Sequence, residues 1–235
     1  MVLTKICVVA VGLMAAGCAA TNETSAPGPL GDDAWAWDRA VEIEVSTPTE
    51  VARGSASWLA PDLVITSSHF FLGKPENVSV RVGKNGIWQE AKVEVADHPD
   101  SRDLAILRVT PDAAMQAPTL EPVKICTAPL VPAQEVIVVS AFKKSVGVSY
   151  GSPDYVTRHL GKSWTTSLTG YFPEGTSGGA LYDRSAGCLA GVISMRQKSW
   201  SPSGPSIYTT RFVSAEEITN FIRENKISLP AVSQE

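Results

Sequence analysis

ARGSASWLAPDLVITSSHFF (Ala52 to Phe71) is the stretch on which the fold turns. Two β-patterned runs, ARGSASWL and LVITSS, flank Ala60-Pro61-Asp62. Proline and aspartate are turn formers, so the segment reads as a hairpin. Directly after its second strand comes His69. A side chain at the end of an element can reach into a cleft, which makes this histidine a candidate for chemistry. His98, in the polar turn DHPDSR, and His159, in TRHLGK, read as solvated loop residues instead.

The same pattern continues outward on both sides. AVEIEVS (Ala40 to Ser46), VSVRVG (Val78 to Gly83) and WQEAKVEVA (Trp88 to Ala96) alternate apolar with polar residues, and LAILRV (Leu104 to Val109) reads as a buried strand. After the Pro-rich passage PDAAMQAPTLEPV (Pro111 to Val123) come EVIVVSAF, VGVSY, SWTTSLTGYF, ALYD, CLAGVISM and SIYTTRFV. Short strands at regular spacing indicate an all-β sandwich or barrel. The Pro-rich passage splits them into two groups of about six. Two six-stranded barrels in tandem fit this pattern, and so does a single sandwich. One helix closes the chain. Ser214 and Glu217 form a capping box, and Ala215, Ile218, Phe221 and Ile222 then fall on one helical face.

The chain has 235 residues, 44% of them apolar and 19% charged, enough for one large domain or two small ones with a real core. The net charge is −4 and the Lys and Arg residues are scattered singly, which gives nucleic-acid binding no support. The first 17 residues, with one lysine and the apolar run ICVVAVGLMAAG, read as a secretory signal peptide too short to span a bilayer. LMAAGC, ending at Cys18, resembles the bacterial lipobox, although Ala15 stands where that box prefers Leu, Val or Ile. The resemblance implies a lipidated Cys18, a membrane anchor and a cell-envelope location. Ala19, rather than Asp, after the cysteine favours the outer membrane. An ordinary signal peptide cut nearby is the alternative. Residues 18–34, rich in Pro, Gly and small polar residues, read as a tether, with order beginning near Trp35. Cys126 and Cys188 remain. In an exported chain they either bridge or stay as two small buried thiols.

GTSGGA (Gly175 to Ala180) places one hydroxyl among three glycines. Either the glycines merely make a turn, or they let backbone N–H groups converge beside a reactive oxygen. The second reading needs a base and an orienting acid. His69 is the candidate base. Asp103 opens the apolar strand LAILRV, where a free surface charge is unusual, whereas Asp97 and Asp100 look solvated. An aspartate at a strand start is, taken alone, usually a turn residue.

ITSSHF, DLAIL and GTSGGAL occur in the order His, Asp, Ser. With these segments the chain resembles the trypsin-like serine proteases, most closely the bacterial HtrA/Deg-type protease domain, over about residues 35–227. GSASWLAPDLVITSSH, EAKVEVADHPDSRDLAIL and SVGVSYG carry the resemblance further. It implies an all-β fold of two tandem six-stranded barrels with a C-terminal helix. The protease domain would span 35–228, with barrels at about 38–110 and 122–213, the helix at 215–226 and a tail at 229–235. It implies Ser177 as nucleophile, His69 as general base, Asp103 as its orienting acid, and the amides of Gly175 and Ser177 as the oxyanion hole. Ser194 aligns with the serine that hydrogen-bonds the buried aspartate. Polypeptide substrates are implied, with no cofactor and no metal.

Departures from the family pattern narrow the expectation. Thr176 stands where many animal members carry the aspartate used in zymogen activation, so activation of that kind is not expected. Tyr171, six residues before the nucleophile, stands where the family lines the base of its specificity pocket and offers no carboxylate to Arg or Lys. A shallow pocket for small or medium apolar side chains follows. Met195 and Arg196 stand where an aromatic and a glycine are common, and Arg196 would narrow the groove or select an acidic neighbour. Ser206 aligns with the pocket wall. With the terminal helix so close to the last residue, a PDZ domain is not expected. The expectation is a serine endopeptidase of the bacterial envelope. A catalytically silent protease fold used for binding or as a chaperone is the alternative, since fold alone does not fix function.

Overall fold

The computed structural model describes residues 33–73, 75–82, 85–110, 120–131, 134–142, 148–149, 167–169, 172–199 and 207–230. The expected signal peptide, Cys18 and nearly all of the tether lie outside them. A short helix, α1 (Ala34–Trp37), precedes six strands: β1 (Ala40–Ser46), β2 (Val51–Ala60), β3 (Leu63–Thr66), β4 (Asn77–Arg81), β5 (Gln89–Ala96) and β6 (Ala105–Val109). A 3-10 turn, Ser68–Phe71, follows β3. Six more strands come after the linker: β7 (Glu135–Val139), β8 (Val148–Ser149), β9 (Ser167–Thr169), β10 (Ala180–Asp183), β11 (Cys188–Ser199) and β12 (Ile207–Ser214). Helix α2 (Ala215–Glu224) ends the fold.

The first six strands form a closed antiparallel barrel in the order β1-β2-β3-β6-β5-β4. Closure comes from β1, which pairs with both β2 and β4 and so leaves no free edge. The other six form one sheet in the order β8-β7-β10-β11-β12-β9. The architecture is thus a barrel plus a second six-stranded unit, not a single sandwich.

Where the two units meet is set by β2. Alternate residues of a strand face opposite ways. Ala56 and Trp58 point into the barrel with Val41, Ile43 and Leu107. Ser55 and Ser57 point to the second unit, where the Ser57 hydroxyl lies 2.7 Å from the buried Tyr182 hydroxyl on β10. Both faces of β2 are therefore covered, and Gly54 through Ala60 are all buried. The central core spans the junction: Leu59, Leu63, Ile65, Leu104 and Ile106 pack with Ile137, Val139, Tyr182 and Val192. At roughly 1.5–3 kcal/mol for each fully buried side chain of this size, the junction is a principal stabilising element of the fold.

Helix α2 begins where the capping box places it. The Ser214 hydroxyl accepts the Glu217 amide at 3.4 Å, and Ala215, Ile218 and Phe221 are buried. The helix stops at Glu224, two residues before the expected end. The Asn225 side chain donates to the Phe221 carbonyl at 2.9 Å, and Lys226 turns into the left-handed region at φ 55°. This is the usual chemistry of a helix C-terminus.

Cys126 and Cys188 form a disulfide, with S–S 2.00 Å and Cα–Cα 5.1 Å. It fixes the inter-unit linker to β11, beside the Cys126 amide bond to the Leu189 carbonyl at 3.0 Å. Closing a loop with a 62-residue separation removes about 4 kcal/mol of unfolded-state freedom in the chain-entropy account. The Asp183 carboxylate is close by, but sulfurs bonded to each other offer a metal no thiolate.

Asp183 organises the turn between β10 and β11. Burial raises its carboxyl pKa. Bonds from the Ser185 hydroxyl, the Ala186 and Ser185 amides and the Gln134 amide more than offset that and hold it below the usual range. A carboxylate with a lowered folded-state pKa stabilises the fold above its unfolded value, about 4, and that stabilisation is lost as pH falls through the folded value. Thermal melts of Asp183→Asn between neutral and acid pH should therefore show a smaller loss of stability below about pH 4 than the wild type. Parallel curves would contradict this assignment.

Candidate active site

His69 sits in the 3-10 turn at the end of β3, with its side chain 31% exposed. Asp103 lies just before β6 and is 1% exposed. β3 and β6 pair antiparallel, Thr66 opposite Ala105, so the end of one strand meets the start of the other. The Asp103 carboxylate is surrounded by donors. Its Oδ1 accepts the His69 amide at 2.8 Å and the Ser68 hydroxyl at 3.1 Å. His69 Nδ1 lies 2.9 Å from Oδ2 and 3.2 Å from Oδ1, and the Ser194 hydroxyl from β11 closes on Oδ2. An ionised carboxylate only accepts, so the network assigns the proton to Nδ1 and leaves the lone pair of the imidazole on Nε2. Asp103 has φ 52°, a left-handed conformation that aspartate tolerates better than most residues. The backbone thus turns sharply where the carboxylate must point back at His69.

The 172–179 segment forms a compact loop before β10. The Thr176 amide and hydroxyl both donate to the Pro173 carbonyl, at 3.3 and 2.8 Å. The Gly178 amide donates to Ile193 at 2.7 Å and the Gly179 amide to Thr176 at 2.9 Å. Among the described residues the amides of Phe172, Glu174, Gly175 and Ser177 find no acceptor, and those of Gly175 and Ser177 flank Thr176. Gly175 and Gly178 adopt φ 86° and 81°, open to glycine at little cost.

Two consecutive residues of β11 draw these parts together. The Ile193 carbonyl accepts the Gly178 amide and also the Ser67 hydroxyl, at 2.8 Å, from the turn that carries His69. Ser194 holds Asp103. From β2, the Ser55 amide donates to the Ser177 carbonyl at 2.9 Å. The Thr66 hydroxyl, three residues before His69, donates to the Ser55 carbonyl at 2.8 Å. Among the described residues the Ser177 hydroxyl makes no hydrogen bond. Hydroxyl–imidazole contacts in unliganded sites are commonly long and tighten on binding.

Of the expected pocket residues, Tyr171 and Ser206 lie outside the described residues, as does His159. Met195 is 41% exposed on β11. Arg196 reaches across to the Phe172 carbonyl at 3.3 Å and the Glu174 carboxylate at 3.8 Å, bridging β11 to the segment that leads into the loop. His98 is exposed and its Nδ1 accepts the Asp100 amide at 3.3 Å. Ser55, Ser67 and Ser68 escaped the sequence reading. The signal was present, however: Thr66, Ser67 and Ser68 are three consecutive hydroxyls at a strand end, and buried hydroxyls require partners.

Comparison with known proteins bears on the family and the fold. A family model described as the trypsin-like peptidase domain matches residues 54–192, a span that contains His69, Asp103 and Ser177. Among curated proteins no significant sequence match is found. Among solved structures, the active form of the Rv3671c protease of M. tuberculosis aligns at 21% identity and TM-score 0.59, covering 88% of this chain and 91% of that one. The serine endoprotease of Yersinia pestis aligns at 17% identity and TM-score 0.59, covering 85% and 67%. The HtrA-type protease AlgW, solved with a tripeptide, aligns at 21% and 0.59, covering 85% and 65%. At these identities the likeness is one of fold.

Proposed function

We propose, from the premise that the chain belongs to the trypsin-like peptidase domain family, that it is a serine endopeptidase acting through an acyl-enzyme. Ser177 attacks the scissile carbonyl, His69 Nε2 takes the hydroxyl proton and later passes it to the leaving amine, and Asp103 holds the ring and stabilises the imidazolium. The Gly175 and Ser177 amides receive the oxyanion. Donors of this kind are worth roughly 2.7–4 kcal/mol each in the transition state. The observation that carries the reading is the pair Ile193–Ser194. One tethers the serine loop and the other tethers the acid of the histidine, so a single strand sets both halves of the site.

The substrate is a polypeptide. The family lines its pocket base with the residue six before the nucleophile, here Tyr171 and not a carboxylate, and Arg196 bridges toward Phe172, so the pocket takes small or medium apolar side chains rather than Arg or Lys. Cys18 is lipidated and tethers the protease domain to the bacterial envelope, at the outer membrane, facing the periplasm. Metabolic labelling with an alkynyl palmitate should mark the wild type and not Cys18→Ala. Equal labelling of both removes the anchor from the proposal.

The unengaged Ser177 hydroxyl is what favours the alternative of a silent binding scaffold. A fluorophosphonate probe decides between them, because only an activated serine is phosphonylated. Labelling mapped by mass spectrometry to the Ser177 peptide is the expected result. A folded protein that does not label, or labels elsewhere, overturns the endopeptidase reading.

A further inference from the structure

We infer that Ser55, on the barrel that carries His69, is the positioning residue that holds the oxyanion loop in its working shape. The inference rests on the proposed function of that loop. Ser55 is completely buried, and outside the β-ladder it bonds to Gly175, Ser177, Ala141 and Thr66. Its hydroxyl donates to the Gly175 carbonyl at 2.6 Å and accepts the Ala141 amide at 3.1 Å. Its amide donates to the Ser177 carbonyl at 2.9 Å.

The pattern of these bonds matters more than their number. A trans peptide unit is planar, with C=O and N–H pointing in opposite directions. Four successive units link Glu174 to Gly178. Ser55 grips the second by the Gly175 carbonyl and the fourth by the Ser177 carbonyl. The amides of Gly175 and Ser177, which find no acceptor among the described residues, belong to the first and third. The third is also set from behind, since the Thr176 carbonyl accepts the Gly179 amide, which turns the Ser177 N–H the other way. Gripped and free units therefore alternate. Rotation of the Gly175–Thr176 unit changes the backbone angles on both sides of it and misdirects a free amide.

The loop has little else to stop that rotation. Gly175 lacks a side chain, its φ of 86° lies in a region where glycine has several neighbouring wells, and among the described residues the half-exposed Phe142 ring is what a Cβ there would meet first. A carbonyl left without the Ser55 hydroxyl would be half-buried and unsatisfied, and flipping the unit outward is its route to water. The Ala141 amide, on the other side of the hydroxyl, ties the same bond to the start of the segment that carries Phe142.

The test uses p-nitrophenyl acetate, a small activated ester that needs no specificity pocket, with the whole protein. Misplacing a reacting group by about 1 Å costs about a hundredfold, so Ser55→Ala should lower the acylation rate constant about ten- to a hundredfold. The half-saturation concentration should stay within about twofold, because the lost interaction is made in the transition state. The pH midpoint of acylation should not move, since Ser55 touches neither His69 nor Asp103. Ser55→Cys, which keeps the shape and substitutes a weak thiol donor, should fall in the same direction and serves if the alanine variant does not fold. Unchanged acylation in either folded variant overturns the inference, and so does a loss accompanied by a shifted pH midpoint. A wild type that neither acylates nor takes the fluorophosphonate overturns the proposed function itself. A reactive wild type with unaffected Ser55 variants overturns only the role of Ser55.

Discussion

Asp103→Asn should lower cleavage of an unfolded casein substrate by about 10⁴-fold at neutral pH while the protein still folds. All the partners of the carboxylate are donors: the His69 amide, the Ser68 hydroxyl, His69 Nδ1 and the Ser194 hydroxyl. An asparagine must present an NH₂ group to some of them. Hydroxyls can rotate away, and a backbone amide cannot. The oxygen therefore stays on the His69 amide and the NH₂ turns to the ring. Nδ1 must then become an acceptor, and the ring proton moves to Nε2. The nitrogen that should take the Ser177 proton is then already protonated. The fold should survive, because asparagine tolerates the φ of 52° as well as aspartate does. The remaining mismatch should cost about 1–3 kcal/mol. Melting close to wild type with a collapsed turnover is the expected pair of results. Turnover within about tenfold of wild type in the folded variant would show that Asp103 does not set the tautomer of His69.

Strands such as β4 and β5 were legible because one face meets the core and the other turns largely to water. AVEIEVS shows the alternation, and β1 occupies the same seven residues, Ala40–Ser46. β2 was readable only through its turn, since it is buried on both faces and shows no alternation from Gly54 to Ala60. Barrel closure could not be read, because β1 pairing with β4 depends on contacts distant in the chain. The site divides in the same way. Local chemistry exposed His69 at a strand end and Ser177 among glycines. What remained hidden was three-dimensional: the left-handed turn at Asp103, the bonding of Ser55 to two carbonyls of another unit, and Ile193 as the shared acceptor. A serine in a strand looks alike in sequence whether it faces solvent or a catalytic loop.

Gly178→Ala should cost about 4 kcal/mol or more in stability and remove activity with it, through two separable causes. The first is conformational. At φ 81° an L-residue is strained by about 1–3 kcal/mol. The second is space. A Cβ at Gly178 would stand 2.0 Å from the Ser55 carbonyl oxygen and 2.2 Å from the Thr66 hydroxyl oxygen. Neither neighbour can give way easily. The Ser55 carbonyl belongs to β2, which pairs with β1 along the barrel wall and accepts the Thr66 hydroxyl. Relief must therefore come from the loop lifting away from the barrel. That breaks the Ser55 amide bond to Ser177 and the Gly178 amide bond to Ile193, which tie the serine loop to β2 and β11. Gly187 supplies the control. It too is left-handed, at φ 59°, but a Cβ there meets nothing within 4 Å. Gly187→Ala should show the conformational cost alone, about 1–2 kcal/mol, with fluorophosphonate labelling intact. The excess cost of the Gly178 variant in denaturant melts measures the close approach of the serine loop to the first barrel. If the two variants melt alike and label alike, the loop does not rest on β2 as the structure places it, and the site loses the contact that joins its two halves.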